Sequence, residues 1–124
     1  MIDLTTNARK TIVSALSGIG FPVYFGEADE TAQLPYVIYD LQTVSMFDGV
    51  RMCELEINVV GYGRDTTPVE NVCDRIERVF DHKTFNENDV SFTSYFERKS
   101  RVDSEDRKII RRRLVFNINL YERG

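Results

Sequence analysis

One histidine and two cysteines in 124 residues leave this chain poor in the side chains from which metal centres and nucleophiles are made. Cys53 and Cys73 are too few and too far apart for a zinc cluster, and nothing about them points to an oxidising compartment. Both read as small buried hydrophobes. Long apolar runs are missing too: no stretch approaches the roughly 18 to 20 residues that span a bilayer. The opening Met1-Ile2-Asp3-Leu4-Thr5 lacks a basic region followed by an apolar one, so no standard secretion signal is expected. Nor is there an excess of positive charge. With 20 acidic against 16 basic residues and a net charge of −4, a broad attraction to phosphate backbones is not expected, which argues against nucleic acid as the main ligand. A Gly-x-Ser-x-Gly elbow, a phosphate loop, a dinucleotide fingerprint and a His-Glu-x-x-His helix are all absent. These absences predict a protein that is not an enzyme and needs no cofactor.

What is present is an ordinary globular composition, 42% hydrophobic and 29% charged, with a length suited to one core. The expectation is a single α+β domain over residues 1–124. Ala8, Ile12, Ala15, Leu16 and Ile19 recur at helical spacing, with Thr5 or Thr6 as a cap and Gly18 as a stop. Phe21-Pro22-Val23-Tyr24-Phe25 reads as a short strand that Pro22 places at an edge. The acidic, Gly- and Pro-containing stretch 26–35 reads as a loop, and the β-rich run 36–44 as a strand. Asp48-Gly49 supplies a turn into a strand from Val50 to about Val60, so the two strands form a hairpin. In the second of them Cys53, Leu55, Ile57 and Val59 share an apolar face, opposite Met52, Glu54, Glu56 and Asn58.

Thr67-Pro68-Val69-Glu70 has the order of cap, first-position proline and capping-box acid. The helix it opens carries Val69, Val72, Cys73, Ile76, Val79 and Phe80 on one stripe and ends near Asp81. Two further strands, from Val90 to about Arg101 and from Lys108 to Tyr121, form a second hairpin around the charged 102–107 linker. The order α-β-β-β-α-β-β is satisfied by an antiparallel sheet with two helices packed on one face.

Four features are candidates for function. His82 follows the second helix, where a C-terminal helix end accounts for it without catalysis. Glu27, Asp29 and Glu30, and again Glu87 and Asp89, lack the ligand spacing of a calcium loop and read as solvated acids. The basic run Arg107-Lys108 and Arg111-Arg112-Arg113 is the most conspicuous charge feature. Strand alternation places Arg111 and Arg113 on a polar sheet face with Asn117 and Asn119, in reach of Glu54 and Glu56 if those strands are neighbours. This favours a salt-bridged or partner-facing surface over a nucleic-acid patch. Finally, Val44-Ser45-Met46-Phe47-Asp48 puts Met46 and Phe47 at a hairpin tip, where a lone subunit leaves them wet. Met46, Phe47, Arg111 and Arg113 are therefore the candidate protein-interface residues, and no residue is assigned a catalytic or metal-binding role.

The element order carries a wider likeness, joined by three segments: Leu34-Pro35-Tyr36-Val37-Ile38-Tyr39 entering a strand, Glu56-Ile57-Asn58-Val59-Val60-Gly61-Tyr62-Gly63 leaving one, and Arg113-Leu114-Val115-Phe116-Asn117-Ile118 near the end. With these the chain resembles the tail-terminator, or tail-completion, proteins of long-tailed bacteriophages, over nearly its whole length. The resemblance implies a virion protein assembled in the host cytoplasm as a hexameric ring on the last ring of the tail tube. Such a ring stops tube growth, presents a surface to head-completion proteins, and meets DNA only in passage. It works without nucleophile, metal or cofactor. Two other classes stay open: a head-tail connector or tail-tube protein, and a small cellular regulatory or ligand-binding domain. A dimer carrying a bound metabolite would favour the last.

Overall fold

The computed structural model describes residues 4–87 and 90–122. Its elements run α1 (Leu4–Leu16), β1 (Val23–Phe25), β2 (Tyr36–Phe47), β3 (Val50–Tyr62), α2 (Thr67–Phe80), β4 (Lys83–Glu87), β5 (Val90–Arg101) and β6 (Ile109–Glu122). The six strands form one sheet in the order β1-β2-β3-β6-β5-β4. All neighbouring pairs are antiparallel except β1 with β2, which run parallel. The α+β class, the helices and both long hairpins are as the residue pattern predicts. β1 lies at an edge, as Pro22 requires.

The apolar stripes meet in one core. From α1 come Ala8, Ile12 and Leu16, from α2 Val69, Val72, Cys73, Ile76 and Phe80, and from the sheet Leu55, Ile57, Leu114, Phe116 and Ile118, all buried. The two helices share the face of the sheet that these strand residues present. Phe116 sits centrally, paired across the strands with Leu55 and Phe96, its ring 5.5 Å from Phe80 and 5.6 Å from Phe96.

Several local expectations are corrected. Thr5 and Thr6 lie inside α1 and cannot be its cap. In α2 the cap position is Thr66 rather than Thr67, and its side chain makes no capping hydrogen bond. Instead the Asp65 carboxylate accepts from the Thr67 N–H at 2.9 Å. Glu70 does not fold back into a capping box, because its carboxylate is held by Arg112 at 2.7 Å and by Lys99, both on the sheet. Two cations across the helix–sheet junction outcompete one backbone amide.

The predicted order also lacked a strand, β4. Its residues Lys83-Thr84-Phe85-Asn86-Glu87 offer one large apolar side chain, too little for an alternation to show. What holds it is tertiary: Phe85 stacks on Phe92 at 4.8 Å and lies 5.6 Å from Phe80, while the backbone pairs with β5. The sheet's other face is not uniformly wet either. Asn58, Val60 and Val115 are buried there, the last paired with Glu56 and Arg98, whose longer side chains rise on either side.

Gly61 shows how closely α2 presses on the sheet. A Cβ at this position would lie 2.5 Å from Val69 Cγ2. Gly61→Ala is therefore expected to cost roughly 1–3 kcal/mol, the usual range for overpacking, as read by urea denaturation. A variant as stable as the parent would show that the start of α2 can lift away freely.

Candidate functional site

The β2–β3 hairpin carries the exposed tip, and beside it Arg51 Nη1 donates to Thr5 Oγ1 of α1 at 3.0 Å. Asp48 and Gly49 form its two-residue turn with φ of 50° and 77°, and Phe47 pairs with Val50 across it. Positive φ at both positions matches the right-handed twist of the flanking strands, which is why an Asp-Gly pair belongs here. A bulge between Thr43 and Ser45 shifts the register, so Ser45 faces Met52 and Met46 faces Arg51. Opposed residues share a sheet face. Met46 and Arg51 therefore lie on one face of the hairpin, and Phe47 with Val50 on the other, as successive side chains must. Val44, Met46 and Phe47 are 66%, 62% and 73% exposed, and Met52 is exposed beside them. These exposed apolar side chains, on both faces of the hairpin, lie outside the buried core.

Beside the tip runs an open sheet edge. β1 pairs with β2 only at Val37, Ile38 and Tyr39. Beyond that point the outer backbone of β2 has no strand neighbour among the described residues, although Leu41 N–H finds the carboxylate of Asp40 at 2.9 Å. Edges of this kind are places where another chain can add.

On the polar face, the neighbouring of β3 and β6 joins Arg111 and Arg113 to β3 in one chain of contacts. Arg111 Nε donates to Asn58 Oδ1 at 3.1 Å, Asn58 Nδ2 donates to Glu56 Oε1 at 3.4 Å, and Glu56 Oε1 lies 2.5 Å from Arg113 Nε. Glu54, the other acid considered, pairs in register with Asn117 and makes no ion pair among the described residues. Arg112 points to the opposite face and meets Glu70. Lys99 first, and then Arg112, hold the Glu70 carboxyl below its ordinary range against the opposing effect of burial. A depressed carboxyl stabilises the fold at neutral pH, and that contribution fades as the pH falls through its folded value.

Where β3 leaves the sheet and the β5–β6 hairpin turns, a cleft of about 580 Å³ opens. Arg64, Arg101, Arg107, Arg111 and Arg112 line it, against only Asp103 and Asp106.

No protein-family model matches the chain, and no curated protein does. Among solved structures, a chain in the virion of a native gene transfer agent particle superposes with a TM-score of 0.61, over 94% of this chain and 90% of that one, at 15% identity. A second solved structure, which carries no functional name, superposes with a TM-score of 0.74 over 94% of both chains, at 10% identity. The fold is one found in a virion particle. At such identities the likeness concerns architecture, and it covers 94% of this chain in both cases.

The remaining candidates have structural work of their own. His82 is exposed with φ of 53°, its ring edge-on to Tyr95 at 5.3 Å and its Nε2 3.6 Å from Asp81 Oδ1. Asp81 also accepts from Phe96 N–H at 3.0 Å, so the pair closes α2 onto β5. Asp29 caps a turn by accepting from Thr31, Glu87 is exposed on β4, and Asp89 lies outside the described residues. Among the described residues no three His, Cys, Asp or Glu side chains lie close enough to hold a metal, and no helix is long and apolar enough to cross a membrane.

Cys53 and Cys73 are free and buried. Burial raises the Cys53 thiol and pushes Cys73 up to about 11. The native protein is therefore expected to resist thiol reagents at neutral pH and to react at both positions once unfolded. Rapid labelling of the folded protein would contradict this packing.

Residue reasoning missed Arg64 and Arg101 in the cleft. Arg64 stands 43 positions from Arg107, and the pairing of Tyr62 with Ile109, continued by the Gly63 N–H donating to the Lys108 carbonyl, brings their segments together.

Proposed function

We propose that the protein is a structural component of a phage-type virion, acting as one domain: a tail terminator that forms a homo-oligomeric ring of six copies on the end of the tail tube. In that role it stops tube growth, offers its outer surface to the head-completion protein, and lets DNA pass without holding it. The observation that carries the reading is the superposition of nearly the whole chain on a chain of a gene transfer agent virion. A fold hosts many functions, so the surface must agree. It does in two respects. The hairpin tip exposes Val44, Met46 and Phe47 next to an unpaired length of β2, which suits a contact with another copy or with the tube. On the polar face Arg111 and Arg113 are anchored by Asn58 and Glu56, which suits a rigid contact surface or pore lining.

Sedimentation velocity with electron microscopy tests this. The expected result is a closed ring whose share grows with concentration, together with weak, nonspecific DNA binding. A protein that stays monomeric at every concentration, a dimer that retains a small metabolite, or submicromolar affinity for duplex DNA at physiological salt would count against the assignment.

A further inference from the structure

The arginine cleft is the one strongly charged feature that the ring reading leaves unused, and its charge is only partly answered within the subunit. Arg112 is committed to Glu70, and Arg111 uses its Nε on Asn58. Arg101 meets the solvent-exposed Asp103 at 3.2 Å. One Asp106 oxygen accepts from the Lys108 N–H. Arg64 and Arg107, both exposed, have no acidic partner among the described residues. In a chain with a net charge of −4, the cleft is a local cationic island.

The same chain carries a matching anionic element. Between Phe25 and Tyr36 there is no basic residue, and Glu27, Asp29 and Glu30 fall within four positions. Asp29 shapes this loop by accepting from both the N–H and the hydroxyl of Thr31. Glu27 and Glu30 are exposed and have no ion-pair partner among the described residues. No ion pair joins this loop to the cleft within one subunit.

The sheet register places the two elements. The loop ends at Tyr36, which pairs with Val60, and the cleft begins just beyond Tyr62, which pairs with Ile109. The acidic part of the loop follows Phe25, which pairs with Tyr39, so it starts partway along β2 and returns toward the end where the cleft lies. The loop flanks β1 and β2, while the cleft lies toward β6 and β5. Complementary surfaces on different sides of a subunit make a heterologous contact, the kind that forms a ring when its rotation closes.

We infer that the cleft receives the acidic 26–31 loop of a second copy of this chain, with Glu27 and Glu30 meeting Arg64 and Arg107. The inference rests on the ring reading and names the contact that closes the ring. A carboxylate loop is favoured over nucleic acid because the chain as a whole carries a net charge of −4, which does not attract a long polyanion.

The test uses two double variants of the whole chain, R64E with R107E and E27K with E30K, studied alone and mixed. Each alone is expected to associate roughly tenfold or more weakly than the parent, since like charges then face each other across the contact. An equimolar mixture is expected to recover rings, because in alternation every acidic loop again meets a basic cleft and every basic loop an acidic one. Misfolding cannot produce that recovery, which native mass spectrometry would show as mixed rings. Normal rings from either variant alone, or no recovery on mixing, would overturn the inference and leave the ring reading standing. Duplex DNA bound by the parent and lost in R64E with R107E, with assembly intact, would reassign the cleft to nucleic acid. A parent chain that never associates would remove the ring reading itself.

Discussion

Replacing Met46 and Phe47 together by aspartate is expected to leave the subunit folded and to abolish its self-association. The core does not reach these side chains: both are mostly exposed, and the buried cluster ends at Leu41 and Cys53. Burying each against a partner is worth roughly 1.5–3 kcal/mol. Losing both, with two charges placed in the contact instead, should weaken association about a hundredfold or more. The turn chemistry survives, because Asp48 and Gly49 are untouched and keep the left-handed backbone the hairpin needs. Circular dichroism with sedimentation separates the outcomes. An unfolded double variant would place the tip in the core, and normal rings would show that it carries no contact.

Phe116→Ala is expected to act the other way, removing a large share of the fold's stability and weakening assembly only through it. The side chain is fully buried between Phe80, Phe96 and Leu55, where sheet and α2 meet. Truncating such a residue removes its transfer energy and leaves a cavity, at a cost of roughly 3–5 kcal/mol. Domains of this size commonly hold only about 5–15 kcal/mol of stability in total, so a large share of it would go. Urea denaturation gives the number. A loss below about 1 kcal/mol would mean that the surrounding rings collapse into the space, and that this is not the keystone of the core. The contrast between two aromatic residues, one whose loss is read in assembly and the other in stability, tests the division of the molecule into core and contact surface.

That division was readable from residues wherever a period was long enough to see. The stripe from Val69 to Phe80, the alternation from Cys53 to Val59 and the Asp48-Gly49 turn each declare an element and its buried side within a short window. They also isolate Met46 and Phe47 as apolar residues at a tip. β4 escaped because one phenylalanine in five residues makes no pattern, and it is a strand because Phe92 and Phe80 receive Phe85. Glu70 was legible as a helix-start acid but not as the partner of Arg112 and Lys99, which arrive from other strands.

By itself, then, the sequence determined the α+β class, both helices, the two long hairpins, the apolar stripes and the exposed tip, because each depends on side chains within a turn or a strand of one another. The tertiary structure decided the strand order, and everything that follows from it. β6 inserts between β3 and β5, and that insertion ties Arg113 to Glu56 and Arg111 to Asn58. It also draws Arg64 beside Arg107 and leaves the outer edge of β2 open. Charges distant in sequence have no local period to announce them, and they become neighbours only through the backbone pairing and core packing that bring their strands together.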